Sequence, residues 1–444
     1  MTFELSRRRV LGALVLTGAG YAASEFPADP IETVQPSAGT WPVAQYDPAN
    51  TAANPHAELG SQPSIDWQRQ LDVKTLVVGR DLVVVGGDRL AALDRDTGQV
   101  VWQQTPSGDA EQLAVRNGVV YYARTDDEQT HVRAVDAQTG AVRWDRQLPD
   151  VWDSVLTARS LVLTCISEQG QLLIALDLAT GEQRWQWTKD AHASLAAADG
   201  HLYGTNGYLT KHAVRDLYET VTNTGPDRVW AVEMSPAVRQ PVIAGGRVFT
   251  ARTLESRTNR PDSPRTAFPD GDTVSPPPRE PPVPALTAHD TASGDRVWGA
   301  LWSDTVPFDA GTRYGVEELA VAHGRVYAAF DVVDPETKPG QRTALIAYSM
   351  ADGTREWTVS FYQEPGDFTR VTALAATSDT VVVAHRPLAD PDSTPTHPPT
   401  VRALDPVDGT ERWRVALPDV SYAVAIAGDT VFAVTVNGPV VAIR

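Results

Sequence analysis

Cysteine, methionine and lysine are scarce in this 444-residue chain: one Cys, three Met and four Lys (Lys74, Lys189, Lys211 and Lys338). A single thiol excludes an internal disulfide. Cys165 ends the apolar run Leu161-Val162-Leu163-Thr164-Cys165, which suits a small buried hydrophobe better than a nucleophile. Few lysines and no basic cluster beyond the first residues argue against a nucleic-acid partner, because neutralising phosphates requires such clusters. The most apolar stretch, 10–23, is broken by Gly12, Gly18 and Gly20 and is short for a transmembrane helix. Also missing are a Gly-x-Ser-x-Gly elbow, a His-Glu-x-x-His helix and a phosphate-binding Gly loop between strand and helix.

What the chain has in excess is aspartate. It supplies 38 of the 56 acidic residues, and the net charge is −18. High ionic strength screens the self-repulsion of such a surface, so a salty solvent is expected. An acidic protein of ordinary habitat is the alternative. Hydrophobic content of 42% with 21% charged residues describes a folded domain.

The first residues read as an address. Arg7 and Arg8 precede the short apolar stretch, and small residues follow near Ala22 and Ala23. This order fits a twin-arginine (Tat-type) export signal over 1–23, giving an extracytoplasmic protein. No cysteine follows it to carry a lipid, so membrane attachment is expected only through an uncleaved signal.

Internal repetition carries the fold. Eight short apolar pairs flank turns, with Gly, Asp or Asn in all but the third, at 76–86, 113–123, 155–165, 195–205, 242–251, 319–330, 374–385 and 424–435. That is hairpin chemistry. A second unit follows, clearest in Ala92-Leu93-Asp94-Arg95-Asp96-Thr97-Gly98-Gln99-Val100-Val101-Trp102. Its Asp, Gly and Trp recur as Asp136, Gly140 and Trp144, as Asp177, Gly181 and Trp185, and as Asp405, Gly409 and Trp413. Gly294 with Trp298 and Gly353 with Trp357 keep the spacing while His289 and Ser349 replace the Leu and the Asp. The carboxylate can accept turn N–H groups, the Gly supplies positive φ, and the ring can fill a gap between sheets. The fourth copy is degenerate, with Gly225 and Trp230 delayed by an extra segment.

Together these units predict four-stranded antiparallel sheets of about 40 residues, the length of propeller blades. The chain ends on a third strand, Val440-Val441-Ala442-Ile443-Arg444, with no fourth after it. An orphan fourth strand bearing Trp67 lies near the start. Pairing the two closes an eight-bladed all-β propeller over 64–444 and removes two exposed edges. Residues 24–63 form a leader expected to drape along it. Two Pro-rich insertions, 252–284 and 386–399, are expected as surface loops between second and third strands.

The repeat Ala-Leu-Asp-x-x-Thr-Gly-x-x-x-Trp resembles that of the pyrroloquinoline-quinone-like (PQQ-like) family, which includes quinoprotein dehydrogenases and the assembly factor BamB. Trp41-Pro42 through Asp47-Pro48-Ala49-Asn50-Thr51 is similar to the lead-in of such propellers, and the acidic composition is similar to that of halophilic archaeal proteins. The resemblance implies the fold over 41–444; the repeat residues themselves are structural. In family quinoproteins PQQ lies on the axis with Ca²⁺ or a lanthanide, an aspartate base and often an adjacent-cysteine disulfide. The disulfide is impossible here, no ligand set matches residue by residue, and there is no haem-binding Cys-x-x-Cys-His.

Loops entering the innermost strands offer Glu111, Asp153, His192, Glu317, Glu318, Arg370 and Tyr422 as residues able to face the channel. They could form an acidic funnel for a cation or a small polar ligand; a solvated rim is the plainer reading. The spacings of His192, His201 and His212 match no compact metal motif. The expected function is a monomeric, non-catalytic module binding proteins through its faces or Pro-rich loops, without a cofactor. Two alternatives are a PQQ- and Ca²⁺-dependent oxidoreductase and a small-ligand sensor.

Overall fold

A computed structural model describes residues 30–125, 129–168, 170–188, 193–215, 219, 225–234, 240–255, 285–300, 313–334, 340–361, 368–388, 397–436 and 439–444. The expected hairpins form, and each extends into an antiparallel sheet in which strands follow one another in chain order. There are eight sheets. Their first strands are Thr75–Val78, Ala110–Arg116, Asp150–Leu156, Ser194–Ala198, Val242–Ala244, Arg313–Ala322, Phe368–Ala376 and Ser421–Ala427. Each first strand touches the next, and the last touches the first, so they form the inner wall of a closed eight-bladed propeller.

The seam lies in blade eight. Its three inner strands come from the end of the chain, and Ile65–Gln70 pairs outside Pro439–Ile443. Reciprocal backbone hydrogen bonds between Ser64 and Arg444, 2.9 and 3.0 Å, lock it. No sheet is left open at the seam.

The repeated motif ties blade to blade. In its turn, Asp177 Oδ1 accepts the N–H groups of Ala179 and Thr180, both at 3.0 Å, and Gly181 N–H donates to the Asp177 carbonyl at 2.8 Å. Gly181 has φ +69°, and a Cβ there would stand 2.6 Å from the ring of Trp144 in the preceding blade. The same indole donates Nε1–H to the Leu178 carbonyl at 3.0 Å. Trp67, Trp102, Trp230, Trp298 and Trp357 dock in this way against Gly98, Gly140, Gly294, Gly353 and Gly409. A large flat side chain thus covers a turn that only a residue without Cβ can offer.

Blade three departs from the expected register. Trp187, not Trp185, meets Gly225 of blade four, where an added Cβ would lie 2.3 Å from the ring. Trp185 is fully buried within its own blade interface. The shift by two residues keeps the same sheet face and accompanies the longer connection before Gly225. Trp413 also lacks a glycine partner, since the chain ends replace the turn of blade eight; it packs in the core of the seam.

Blade six differs in edge structure. Thr253–Glu255, leaving the second strand of blade five, pairs with Arg313–Ala322 and gives that sheet five strands. The 252–284 insertion therefore begins as ordered strand rather than loop. It lies between Arg247–Ala251 and Leu286–Asp290, the second and third strands of its blade; the 386–399 insertion likewise begins as strand, its first three residues ending Val381–Leu388, and the rest precedes Thr400–Leu404. The rest of the first insertion, 256–284, and residues 389–396 of the second are outside the described residues.

The leader is a plug. Between 31 and 58 it hydrogen-bonds or bridges to every blade: Trp41 with Val78, Pro42 with Val115, Thr33 with Thr157, Pro48 with Ala197, Ala49 with Ile243, Thr51 with Val321, Asn54 with Ala376, and Ala38 with Gly428. Asn54, fully buried, donates Nδ2–H to the carbonyls of Ile426 (2.9 Å) and Ala38 (3.1 Å) and accepts from Tyr46 Oη. All these contacts fall where first strands turn into second strands. The plug lies across that end of the channel; the opposite end, where first strands begin, is called the open end because the leader does not bond across it among the described residues.

Candidate functional site

At the open end, the innermost strands are irregular in a patterned way. Five of them shift register against their second strands, between Glu111 and Ala114, Val151 and Asp153, Val316 and Glu318, Val371 and Ala373, and Ser421 and Ala423. A bulge re-aims a side chain that the pleat would have directed at a neighbouring sheet. The inserted positions hold Gln112 with Leu113, Trp152, Glu317, Thr372 and Tyr422. Glu317 and Tyr422 were expected at the channel; Gln112, Trp152 and Thr372 were not, because a bulge leaves no mark in an alternating sequence.

Between the plug and blades one to three lies a cavity of about 280 Å³. Glu111 and Asp153 meet there, joined by Asp47, Gln45 and Asn50 of the plug and by Gln112 and Gln240. Asp153 is 5% exposed. One carboxylate oxygen accepts Gln240 Nε2–H (3.0 Å) and Ser154 N–H (2.8 Å), and the other accepts Leu195 N–H of blade four (2.7 Å). Burial outweighs these donors and pushes its pKa up to about 6. Asp47 is likewise raised by burial, while its oxygens hold Thr51 N–H (3.0 Å) and Thr51 Oγ1–H (2.7 Å). Both carboxylates therefore brace the protein itself.

Across the channel, Arg370 of blade seven pairs with two carboxylates of blade six. Its Nη2 is 3.0 Å from Glu317 Oε2 and its Nε 3.2 Å from Asp331 Oδ2. Asp331, only 4% exposed, also accepts the Thr343 hydroxyl. The sequence reading named Glu317 and Arg370 but missed Asp331, which sits one strand further out. Glu318 lies beside the pair, opposite Ala329. Tyr422 stands apart in blade eight, 53% exposed. His192 lies outside the described residues. His212 is buried edge-on to Trp187 at 4.7 Å between ring centres, and His201 Nδ1 is bonded to the Asp199 carbonyl. Cys165 is fully buried, which pushes its thiol up to about 12.

A quinone cofactor with its metal would need several uncommitted carboxylates at one point. Here Asp47, Asp153, Glu317 and Asp331 are each engaged by protein donors or Arg370, and no three His, Cys, Asp or Glu side chains converge among the described residues. Among the described residues the donor set does not fit that cofactor. No helix among the described residues is long and apolar enough to cross a membrane, and Arg7 and Arg8 precede them.

Solved structures share this architecture. BamB from Moraxella catarrhalis superposes with a TM-score of 0.55 at 14% identity, over 86% of this chain and 97% of its own. A quinohemoprotein alcohol dehydrogenase from Pseudomonas putida gives 0.60 at 13%, over 94% and 83%. A europium-containing methanol dehydrogenase gives 0.59 at 12%, over 92% and 98%. At such identities these likenesses speak for the fold. Among curated proteins, none matches the chain in sequence. The family model described as outer membrane protein assembly factor BamB matches residues 51–253 and 219–444, and the chain belongs to that family of PQQ-like repeat propellers.

Proposed function

We propose that this protein is an exported, non-catalytic module that holds protein partners on the open end of its propeller. The observation carrying this reading is the pair Trp152 and Tyr422, 57% and 53% exposed, both set on inner-strand bulges. Exposed aromatic side chains on a rigid frame are the residues that anchor protein interfaces. Both Pro-rich insertions leave second strands toward the same end. Membership of a family described by an assembly factor supports the same reading. The module acts outside the cytoplasmic membrane as a monomer. It binds no nucleic acid, and it touches the membrane only through an uncleaved twin-arginine signal.

The test compares partner capture from the extracytoplasmic fraction of the source cells by the wild type and by the Trp152→Ala/Tyr422→Ala variant. A defined partner retained by the first and lost from the second supports the proposal. Calorimetric titration with PQQ and Ca²⁺, alongside a dye-linked alcohol and sugar oxidation assay, runs in parallel. Saturable binding with dye reduction overturns it in favour of a quinoprotein oxidoreductase.

A further inference from the structure

The cavity between the plug and blades one to three has a one-sided hydrogen-bonding character. Apart from the Gln45 amide and the Thr75 hydroxyl, its side-chain donors are spent on the protein. Gln112 Nε2–H donates to the Trp152 carbonyl (3.0 Å), Gln240 Nε2–H to Asp153, and Ser154 Oγ–H to Gln112 Oε1 (3.3 Å). Asn50 Nδ2–H is shared between the carbonyls of Leu195 (2.8 Å) and Pro241 (3.1 Å), and Lys74 at the rim is paired with Asp88 and Asp109.

The acceptors are not spent. Asn50 is 9% exposed and lines the cavity, yet its Oδ1 meets no donor among the described residues. The Glu111 carboxylate is exposed on the wall and has no ion-pair or hydrogen-bond partner there. With these acceptors facing the cavity, the site favours an occupant rich in N–H. The remaining wall is apolar, made by Val43, Leu113, Val155 and Leu156.

Acceptors at the polar surface, an unpaired carboxylate and an aliphatic wall together suit a cation on an alkyl stem. Trp152, one residue before Asp153 on the same strand and 57% exposed, is an aromatic side chain of the kind that cation recognition often uses. We propose that this cavity receives an arginine or lysine side chain presented by a partner polypeptide. The proposal rests on the partner-binding reading and names the chemistry of its central contact.

Two probes decide it: N-acetyl-arginine amide, and a capped Gly-Arg-Gly peptide. Each is titrated calorimetrically beside its citrulline counterpart, which keeps shape and loses charge. Both arginine probes bind with one site, and the citrulline probes bind at least about tenfold more weakly, as expected for a charged hydrogen bond. Glu111→Gln weakens the arginine probes by about the same factor, and Ala44→Phe, which fills the wall from the plug, abolishes binding. Glu182→Gln, on an exposed turn, leaves it unchanged and so accounts for diffuse attraction to an acidic surface.

Equal affinity for arginine and citrulline probes, or indifference to Glu111→Gln, overturns the proposal. Binding of the free amide but not the peptide overturns its partner source and makes the site one for small organic cations. Failure of all probes, with partner capture still dependent on Trp152 and Tyr422, overturns the cavity and leaves the partner-binding reading intact.

Discussion

The indole of Trp144 rests on Gly181 of the next blade, with 2.6 Å between its ring and the position a Cβ would take. Gly118, in a hairpin turn, has the similar φ of +73° but nothing within 4 Å of its added Cβ. The two substitutions to Ala therefore share a backbone penalty and differ in the clash. Gly118→Ala should lose about 1 kcal/mol of unfolding free energy. Gly181→Ala should lose roughly 2–3 kcal/mol more, because the ring must shift. Denaturant unfolding of both variants measures the difference; equal losses would show that the docked tryptophan yields freely.

Asn54 links the plug to blade eight, and its amide cannot be replaced without loss. Asn54→Ala leaves the carbonyls of Ile426 and Ala38 without this donor and should destabilise by about 3 kcal/mol. Asn54→Asp should be worse at neutral pH, since a carboxylate would face those carbonyl oxygens. Protonation relieves this, so the excess deficit of the Asp variant should shrink as pH falls below about 5. Thermal melts from about pH 4 to pH 8 resolve the two effects.

Asp153 gives a pH dependence of definite sign. Its folded pKa, about 6, lies above the unfolded value of 3.8. The folded form thus keeps a proton that the unfolded form has already released, and stability falls as pH rises across that window. Relative to Asp153→Asn, wild type should be most favoured below about pH 4 and lose that advantage by about pH 7, a swing on the order of 3 kcal/mol. A stability difference that is flat with pH would mean that the buried carboxylate is solvated.

A net charge of −18 makes salt a structural variable. Raising KCl from about 0.1 to 2 M shortens the screening length from about 10 Å to under 3 Å. The melting temperature should climb steeply across that range. Equal stability in dilute buffer would rule out adaptation to brine.

The blades were legible because each one repeats the same physical necessity. Asp94, Gly98 and Trp102 announce a turn, a positive φ and an interblade ring, and their recurrence counts the sheets. Closure was legible from Trp67 standing alone at one end and Val440 to Ile443 unfinished at the other. The site was less so. Glu317 and Arg370 were found, but Asp331 and Trp152 depend on strand pairing and on a bulge, neither of which alternation reports. The plug was hidden for another reason. Apart from the amides of Asn50 and Asn54, residues 31–58 bond to the blades mainly through backbone groups, and a backbone donor has no sequence signature.

The seam between 65–70 and 439–443 also sets an order of events. An early strand must wait for a partner about 370 residues downstream, and contacts so distant in sequence form slowly. Until then blade eight has no outer strand, and the first strand of the ring has an exposed edge able to pair with another molecule. Chains interrupted before residue 439 would lack this pairing and keep both edges exposed. The same pairing that completes the eighth blade thereby separates finished molecules from unfinished ones.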